Sequence, residues 1–240
     1  GGVEIGADIS AEYLRRKFDA LCVCIGTPVP RGFGPNVEGR GARGVHFALE
    51  FLSSQNRAVS GESAELSVSA KGKKVLVVGG GDTGSDCVGT AVRQGAKSVV
   101  QVEIMPEPPV ARHPSTPWPM WPYKLRTSSS HLEGCERLWA VNVKSVEVRG
   151  GFAKSATLAR CEWAFDESGR PRAFSERPGE DFKIDADLIL LSMGFTGVEK
   201  NGIVGQLGIL LNSRSTIAAD AGMSTNVEGV FAAGDCTGQP

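Results

Sequence analysis

Apolar residues in this chain fall into two patterns, and each predicts a different kind of strand. Short continuous runs, VLVV at residues 75–78 and LILL within residues 187–192, predict strands buried on both faces of a parallel sheet. Residues 18–25 read as a further buried strand, with Cys22 and Cys24 sharing one face as core residues. From Trp139 the period changes to two. VNVKSVEVR, a turn at Gly150 and Gly151, residues 152–165, a turn at Ser168 and Gly169, and a polar strand through Phe174 predict an antiparallel meander. Helical spacing marks residues 11–17 behind Ser10 as N-cap, and residues 44–52, where Phe47, Leu49, Phe51 and Leu52 are apolar. Residues 208–212 and 216–218 look like short strands. Residues 53–72, rich in Ser, Gly and charge, read as a connection between domains.

The stretch KVLVVGGGDTGSDCVGTAVRQGAKSVVQVE joins these patterns to chemistry. A strand runs into Gly79, Gly80, Gly81, Asp82, Thr83 and Gly84, with G-x-G-x-x-G spacing. A helix then extends to Gln94 with Val88, Ala91 and Val92 on its apolar face, Gly95 is a left-handed stop, and residues 98–104 form a second strand. The first glycine allows the tight turn, the second lets backbone approach a pyrophosphate, and the third lets helix pack on strand. The helix N-terminus aims unpaired N–H groups at phosphate. Glu103 closes the second strand about 20 residues beyond Gly84, where a carboxylate accepts hydrogen bonds from an adenosine ribose. A glycine-rich turn that only tightens strand–helix packing has a similar composition; what favours a dinucleotide site is strand, helix, second strand and acid in register. Other apolar strands also end in glycine, at Gly26 before Thr27, at Gly194, and at Gly234 before Asp235, which suits a protein holding two nucleotides.

Composition removes several classes of function. With 240 residues the chain suffices for one large or two modest domains. A net charge of −1 without long blocks of either sign argues against a nucleic-acid or membrane-surface role. No apolar run reaches the roughly 20 residues of a membrane helix. Cys22, Cys24, Cys87, Cys135, Cys161 and Cys236 contain no C-x-x-C, a pattern that suits a reducing compartment and offers no disulfide framework, metal knuckle or iron–sulfur site. Cytoplasm is expected, or an organelle in a eukaryotic parent. Without an initiator Met, the chain is expected to be a piece of something longer.

Residues 105–133, MPEPPVARHPSTPWPMWPYKLRTSSSHLE, hold too many prolines for a helix or inner strand. Trp118, Trp121 and Tyr123 predict an ordered loop anchored by buried area, serving as a wall of a nicotinamide site, a docking surface or a structural insertion. His113 and His131 lack ligand-like partners, so neither a metal site nor a catalytic role is expected. Arg112, Lys124, Arg126 and Arg137 could meet phosphates, although solvated charges are the default.

With these residues in view, the chain resembles the small (beta) subunit of glutamate synthase, or the equivalent C-terminal region of single-chain NAD(P)H-dependent glutamate synthase, within the flavoproteins having two dinucleotide-binding domains. VEIGADIS, FDALCVCIGTPVPRG, GVHFALEFL, the glycine stretch, PWPMWP with RTSSSH, ADLILLSMGFTG and GVFAAGDC carry it, and the proline–tryptophan loop with RTSSSH singles out glutamate synthase. The resemblance implies an α/β fold of two Rossmann-like domains, an NAD(P)H domain inserted in a discontinuous FAD domain, with a small antiparallel meander. Residues 1–52 and 194–240 would belong to the FAD domain, 53–72 to a linker and 73–193 to the NAD(P)H domain. Gly26, Thr27, Gly194, Gly234 and Asp235 would then lie at nucleotide sites, Gly234 admitting the flavin and Asp235 accepting a hydrogen bond from it. The family's first glycine fingerprint and its cysteine-rich iron–sulfur segment are absent, so the FAD site is expected to be only partly present.

The implied chemistry is hydride transfer from nicotinamide to flavin N5, then single-electron steps through iron–sulfur centres to a large subunit or fused synthase domain that makes glutamate from glutamine and 2-oxoglutarate. The protein would position two rings and needs no catalytic side chain. Glu103 favours ribose hydroxyls over a 2′-phosphate, so NADH is expected over NADPH, with Arg112 the nearest rescue for NADPH. The competing readings are another NAD(P)H-dependent flavin oxidoreductase, and a non-catalytic nucleotide-binding or interaction module that docks a partner through the proline–tryptophan loop.

Overall fold

A strand buried on both faces sends alternate side chains to opposite sides, and the two apolar runs do this. The computed structural model describes residues 2–63, 65–167, 169 and 171–238. In chain order it contains α1 (Ala11–Lys17), β1 (Leu21–Val23), β2 (Val29–Pro30), β3 (Val45–Phe47), α2 (Ala48–Val59), β4 (Lys74–Val78), α3 (Asp82–Arg93), β5 (Ser98–Val102), α4 (Ser129–Leu132), β6 (Glu136–Leu138), β7 (Val141–Arg149), β8 (Phe152–Phe165), β9 (Pro171–Asp185), β10 (Leu188–Leu191), β11 (Phe195–Gly197), α5 (Ile203–Gln206) and β12 (Val230–Ala232). These elements divide between two compact units, one formed by residues 32–194 and the other by the described residues up to Arg31 together with those from Phe195 onward.

In the continuous unit a parallel sheet has the order β3-β10-β4-β5-β6. Leu188 pairs with Val75, and Val75 in turn with Val99. On one face Val75, Val77, Leu188 and Leu190 pack against Phe51 of α2 and Cys87, Val88 and Ala91 of α3. On the other, Leu76, Val78, Ile189 and Leu191 pack against Val141, Val143, Ala156 and Leu158 of the antiparallel sheet β7-β8-β9. A helical layer on one face and a meander on the other account for runs without polar alternation.

Several expectations change. Residues 44–52 do not start a helix: β3 comes first, and α2 begins at Ala48 and runs through the expected connection as far as Val59. Because β3 pairs with β10 and Phe51 is fully buried in the same core, the boundary at residue 52 moves to residues 31 and 32. The second strand of the glycine stretch stops at Val102, short of the expected 104. The third meander strand continues past Phe174 to Asp185; it lies mostly exposed, so no apolar alternation reveals its length. Its charges pair across strands instead, Lys144 with Asp181 and Lys183 with Glu147. Ser168 of the expected turn lies outside the described residues.

In the discontinuous unit β1 and β12 pair in parallel with Val23 opposite Ala232, and β2 pairs antiparallel with β11. Val23, Val198, Val204, Ile209, Ile217, Val230 and Cys236 form its core. Cys22 and Cys24 are not core residues: β1 buries only the face that carries Val23, so period two turns both cysteines outward, their sulfurs 3.6 Å apart. Residues 208–212 and 216–218 make a single bridge, Leu211 with Ile217. Ser10 caps α1 as expected, its hydroxyl accepting from Tyr13 N at 3.1 Å.

The proline-rich loop is ordered by hydrogen bonds rather than by buried aromatics. Trp118 is 84% exposed and Trp121 77%. Leu125 N donates to the Pro109 carbonyl at 2.7 Å and His113 N to that of Tyr123 at 2.9 Å. Arg112 donates to the carbonyls of Thr116 (2.9 Å) and Met120 (3.2 Å). Among the described residues no helix is long and apolar enough to cross a membrane.

Candidate functional site

β4 delivers Gly79 at the carboxyl edge of the parallel sheet, where open α/β sheets bind ligands. Gly79 has φ +121°, and a Cβ there would stand 2.2 Å from the Ser192 carbonyl that follows β10. Gly81 caps α3, with open space beside it. Gly84, in the first turn of α3, is buried against the preceding turn: a Cβ would lie 2.3 Å from the Gly79 carbonyl, 2.8 Å from Gln101 Nε2 and 3.0 Å from Ser192 Oγ. The first and third glycines of the motif are therefore demanded by close backbone approach.

Glu103 reaches back to the turn. Its Oε2 accepts from Gly80 N at 2.5 Å, and its Oε1 accepts from Met105 N at 3.0 Å. Gln101, two residues earlier and 2% exposed, donates through Nε2 to the Gly79 carbonyl at 2.9 Å. Its Oε1 accepts from His131 Nε2 at 2.8 Å, while His131 Nδ1 accepts from Ser128 N at 3.1 Å. A backbone N–H can only donate, so the imidazole is neutral with its proton on Nε2. Burial, and after it the Arg137 guanidinium, hold the His131 pKa below the ordinary value.

Beside this turn a cavity of about 370 Å³ is lined by Gly80, Gly81, Ser85, Trp121, Lys124 and Arg126 among others. The Arg126 guanidinium stacks 4.0 Å over the Trp121 ring. Asp82 is exposed and Thr83 half-buried in the first turn of α3. Burial, ahead of the neighbouring Asp86 carboxylate, pushes the Cys87 thiol up to about 12, which leaves it a core residue without nucleophilic character. Gly194 lies just beyond β10 with φ +82°. Ser192, between them, donates through Oγ to the Val78 carbonyl at 2.8 Å.

The remaining expected residues come together in the discontinuous unit. Gly26 (φ +63°) and Gly234 (φ +79°) follow the paired strands β1 and β12. Thr27 and Asp235 line a cavity of about 580 Å³ with Arg31, Arg214 and Thr216. Among the described residues no cluster of His, Cys, Asp and Glu could hold a metal ion.

The family model for pyridine nucleotide-disulphide oxidoreductases matches residues 7–240. The chain belongs to the pyridine nucleotide-disulphide oxidoreductase family. Among its relatives, the glutamate synthase [NADPH] small chain of Mycobacterium tuberculosis (strain ATCC 25618 / H37Rv) is 44% identical over 239 residues, covering 98% of this chain and 47% of that one. Glutamate synthase [NADH] of Schizosaccharomyces pombe is 38% identical over 248 residues, 98% of this chain and 12% of that one. This member of the family thus spans about half the length of the bacterial small chain it matches. In fold it is similar to Mycobacterium tuberculosis FprA in complex with NADPH (TM-score 0.70, 18% identity, 100% of this chain and 63% of that one). It is likewise similar to T. acidophilum thioredoxin reductase (TM-score 0.59, 18% identity, 92% and 58%). These neighbours match the expected α/β class, and the relatives match the resemblance to glutamate synthase small chains.

In this family member the expected glycines and Glu103 stand together at the turn, joined there by Gln101, Ser192 and His131; the sequence alone does not place the first two beside the turn, and for His131 neither a metal nor a catalytic role was expected. One signal was available: Gln101 is a polar residue inside an otherwise apolar strand, SVVQV, two positions before the acid. Neutral His131 has a measurable consequence. With its folded pKa below the ordinary 6.5, the unfolded chain takes up a proton that the fold refuses, so stability is complete above about pH 6.5 and declines as the pH falls toward the folded value. Urea midpoints taken at about pH 7.5 and about pH 5.5 are expected to drop more in the wild type than in His131→Gln, which has nothing to titrate there. Equal drops would show that His131 contributes no such linkage.

Proposed function

We propose that the glycine turn of the continuous unit binds the pyrophosphate of NAD(P)H, and that the protein is the electron-input part of a glutamate synthase. The observation that carries the reading is the turn itself: a glycine-lined helix N-terminus, tied by Glu103 at the end of the neighbouring strand, beside a cavity that presents Lys124 and Arg126. The α3 N–H groups and the two cations would meet phosphate oxygens. The open side of Gly81 admits the ligand backbone-close.

NADH is the expected coenzyme. Both Glu103 oxygens already accept a backbone N–H, yet each keeps a further lone pair for a ribose hydroxyl. A 2′-phosphate in that position would meet the carboxylate, and Arg112 is occupied with carbonyls of its own loop. Glu103→Ala is expected to weaken NADH binding about tenfold, ~1.4 kcal/mol, and to narrow the gap between NADH and NADPH. Calorimetric titration of both coenzymes checks this, and an unchanged NADH affinity removes Glu103 from the site.

Thr27, Gly26, Gly234, Asp235, Arg31 and Arg214 fit the polar part of FAD: guanidinium groups for its pyrophosphate, and Asp235 with the threonine hydroxyl for its polyol chain. FAD supplies, when bound, acceptance of a hydride and release of its electrons one at a time. The chain's own residues would hold the polar part of each ligand in its own unit, and no side chain is assigned proton transfer. A large subunit or fused synthase domain, reached through an iron–sulfur segment outside these 240 residues, would use the electrons to form glutamate. The test is anaerobic addition of NADH to the full-length, FAD-loaded protein. Loss of the yellow flavin colour is expected; NADH binding with the colour unchanged would contradict an electron-input role and leave a nucleotide-binding module.

A further inference from the structure

One peptide group in the glycine turn is held at both ends by the same neighbouring strand. The Gly79 carbonyl and the Gly80 N–H belong to a single planar unit and point in opposite directions. Gln101 Nε2 holds the carbonyl at 2.9 Å and Glu103 Oε2 holds the N–H at 2.5 Å. These side chains stand two residues apart at the end of β5, on one face of the strand. Glycines flank the peptide, and the one other side-chain hydrogen bond to its carbonyl among the described residues is the longer one from Ser192 Oγ at 3.4 Å, so its direction rests mainly on Gln101 and Glu103. A flipped peptide would turn a carbonyl dipole toward the space where phosphate is placed.

Gln101 can serve only in one orientation. An amide rotated by half a turn would set its oxygen against the Gly79 oxygen. What selects the working orientation is His131, whose Nε2–H donates to Gln101 Oε1 at 2.8 Å. The proton is kept on Nε2 because Ser128 N donates to Nδ1, and Ser128 also meets Ser85 of α3 through their hydroxyls. The chain of contacts therefore runs from the proline-rich loop through an imidazole and an amide to the phosphate turn, every donor matched to an acceptor.

We propose that His131 is a positioning residue for the coenzyme pyrophosphate, acting through Gln101 on the Gly79–Gly80 peptide. This rests on the dinucleotide reading of the turn. His131 stands at the wall of the same cavity, and the action assigned to it is on the direction of a backbone dipole that the ligand meets.

The test measures NADH affinity of folded protein by calorimetry, for the wild type, H131F, H131Q, Q101M and the double variant Q101M/H131F. H131F keeps the ring and loses the donor, so affinity is expected to fall about tenfold. The Gln amide of H131Q donates in place of Nε2 and is expected to restore affinity to within about threefold of wild type. Q101M is expected to match H131F. Adding H131F to Q101M is expected to cost nothing further, because both act through one contact. Wild-type affinity in folded H131F or Q101M, additive losses in the double variant, or no rescue by H131Q would each overturn the proposal while leaving the site reading intact. A wild-type protein without NADH affinity would overturn both.

Discussion

Gly84→Ala is expected to lower stability by about 1–3 kcal/mol and to weaken NADH binding by more than tenfold. Helix propensity alone predicts the reverse, since alanine is favoured over glycine inside a helix by about 1 kcal/mol. Sterics decide the sign here. The added methyl would lie 2.3 Å from the Gly79 carbonyl, a backbone atom fixed by Gln101, and 3.0 Å from Ser192 Oγ. Relief requires α3 to move off β4 or the Gly79 peptide to rotate, and either displaces the N–H groups assigned to phosphate. Urea unfolding and coenzyme titration on the same preparation would separate the two losses. A variant as stable as the wild type with full NADH affinity would show that the turn has slack the packing does not suggest.

Leu190→Ala is expected to cost about 2–5 kcal/mol. β10 hydrogen-bonds to β3 on one side and β4 on the other, and Leu190 is fully buried in the core shared with Phe51, Val77 and Val88. A cavity opened there cannot be filled by strands tied on both sides, so the loss stands near the upper part of that range and takes a large share of the 5–15 kcal/mol typical of whole domains. Leu210, 61% exposed, is the control: its truncation is expected to shift stability by no more than about 0.5 kcal/mol. Comparable urea midpoints for the two variants would contradict the assigned sheet order.

How far the sequence could be read follows from which interactions are local. The two apolar runs stood out because β4 and β10 are covered on both faces, and the glycine spacing stood out because strand, turn and helix are contiguous. The place of Glu103 beside the glycine turn was legible because its distance along the chain from the glycines is set by one helix and one strand. The pairing of Gln101 with His131 could not be read because the two meet across a loop whose prolines impose no period. Cys22 and Cys24 misled because alternation shows which residues share a face, not which face is buried. Phe51 fixed the unit boundary, yet an amphipathic helix reads the same whichever core receives it. β9 was cut short for want of any apolar signal on a solvated outer strand.

The turn from Gly79 to Gly84, tied down by Glu103, is the proposed nicotinamide dinucleotide site. Equilibrium titration of NADH into the protein, followed by nicotinamide fluorescence, tests it most directly. The prediction is saturable binding of one NADH per chain, weakened more than about tenfold in Gly84→Ala and tighter than binding of NADPH. A titration that never saturates, or one whose midpoint ignores Gly84→Ala, would contradict it.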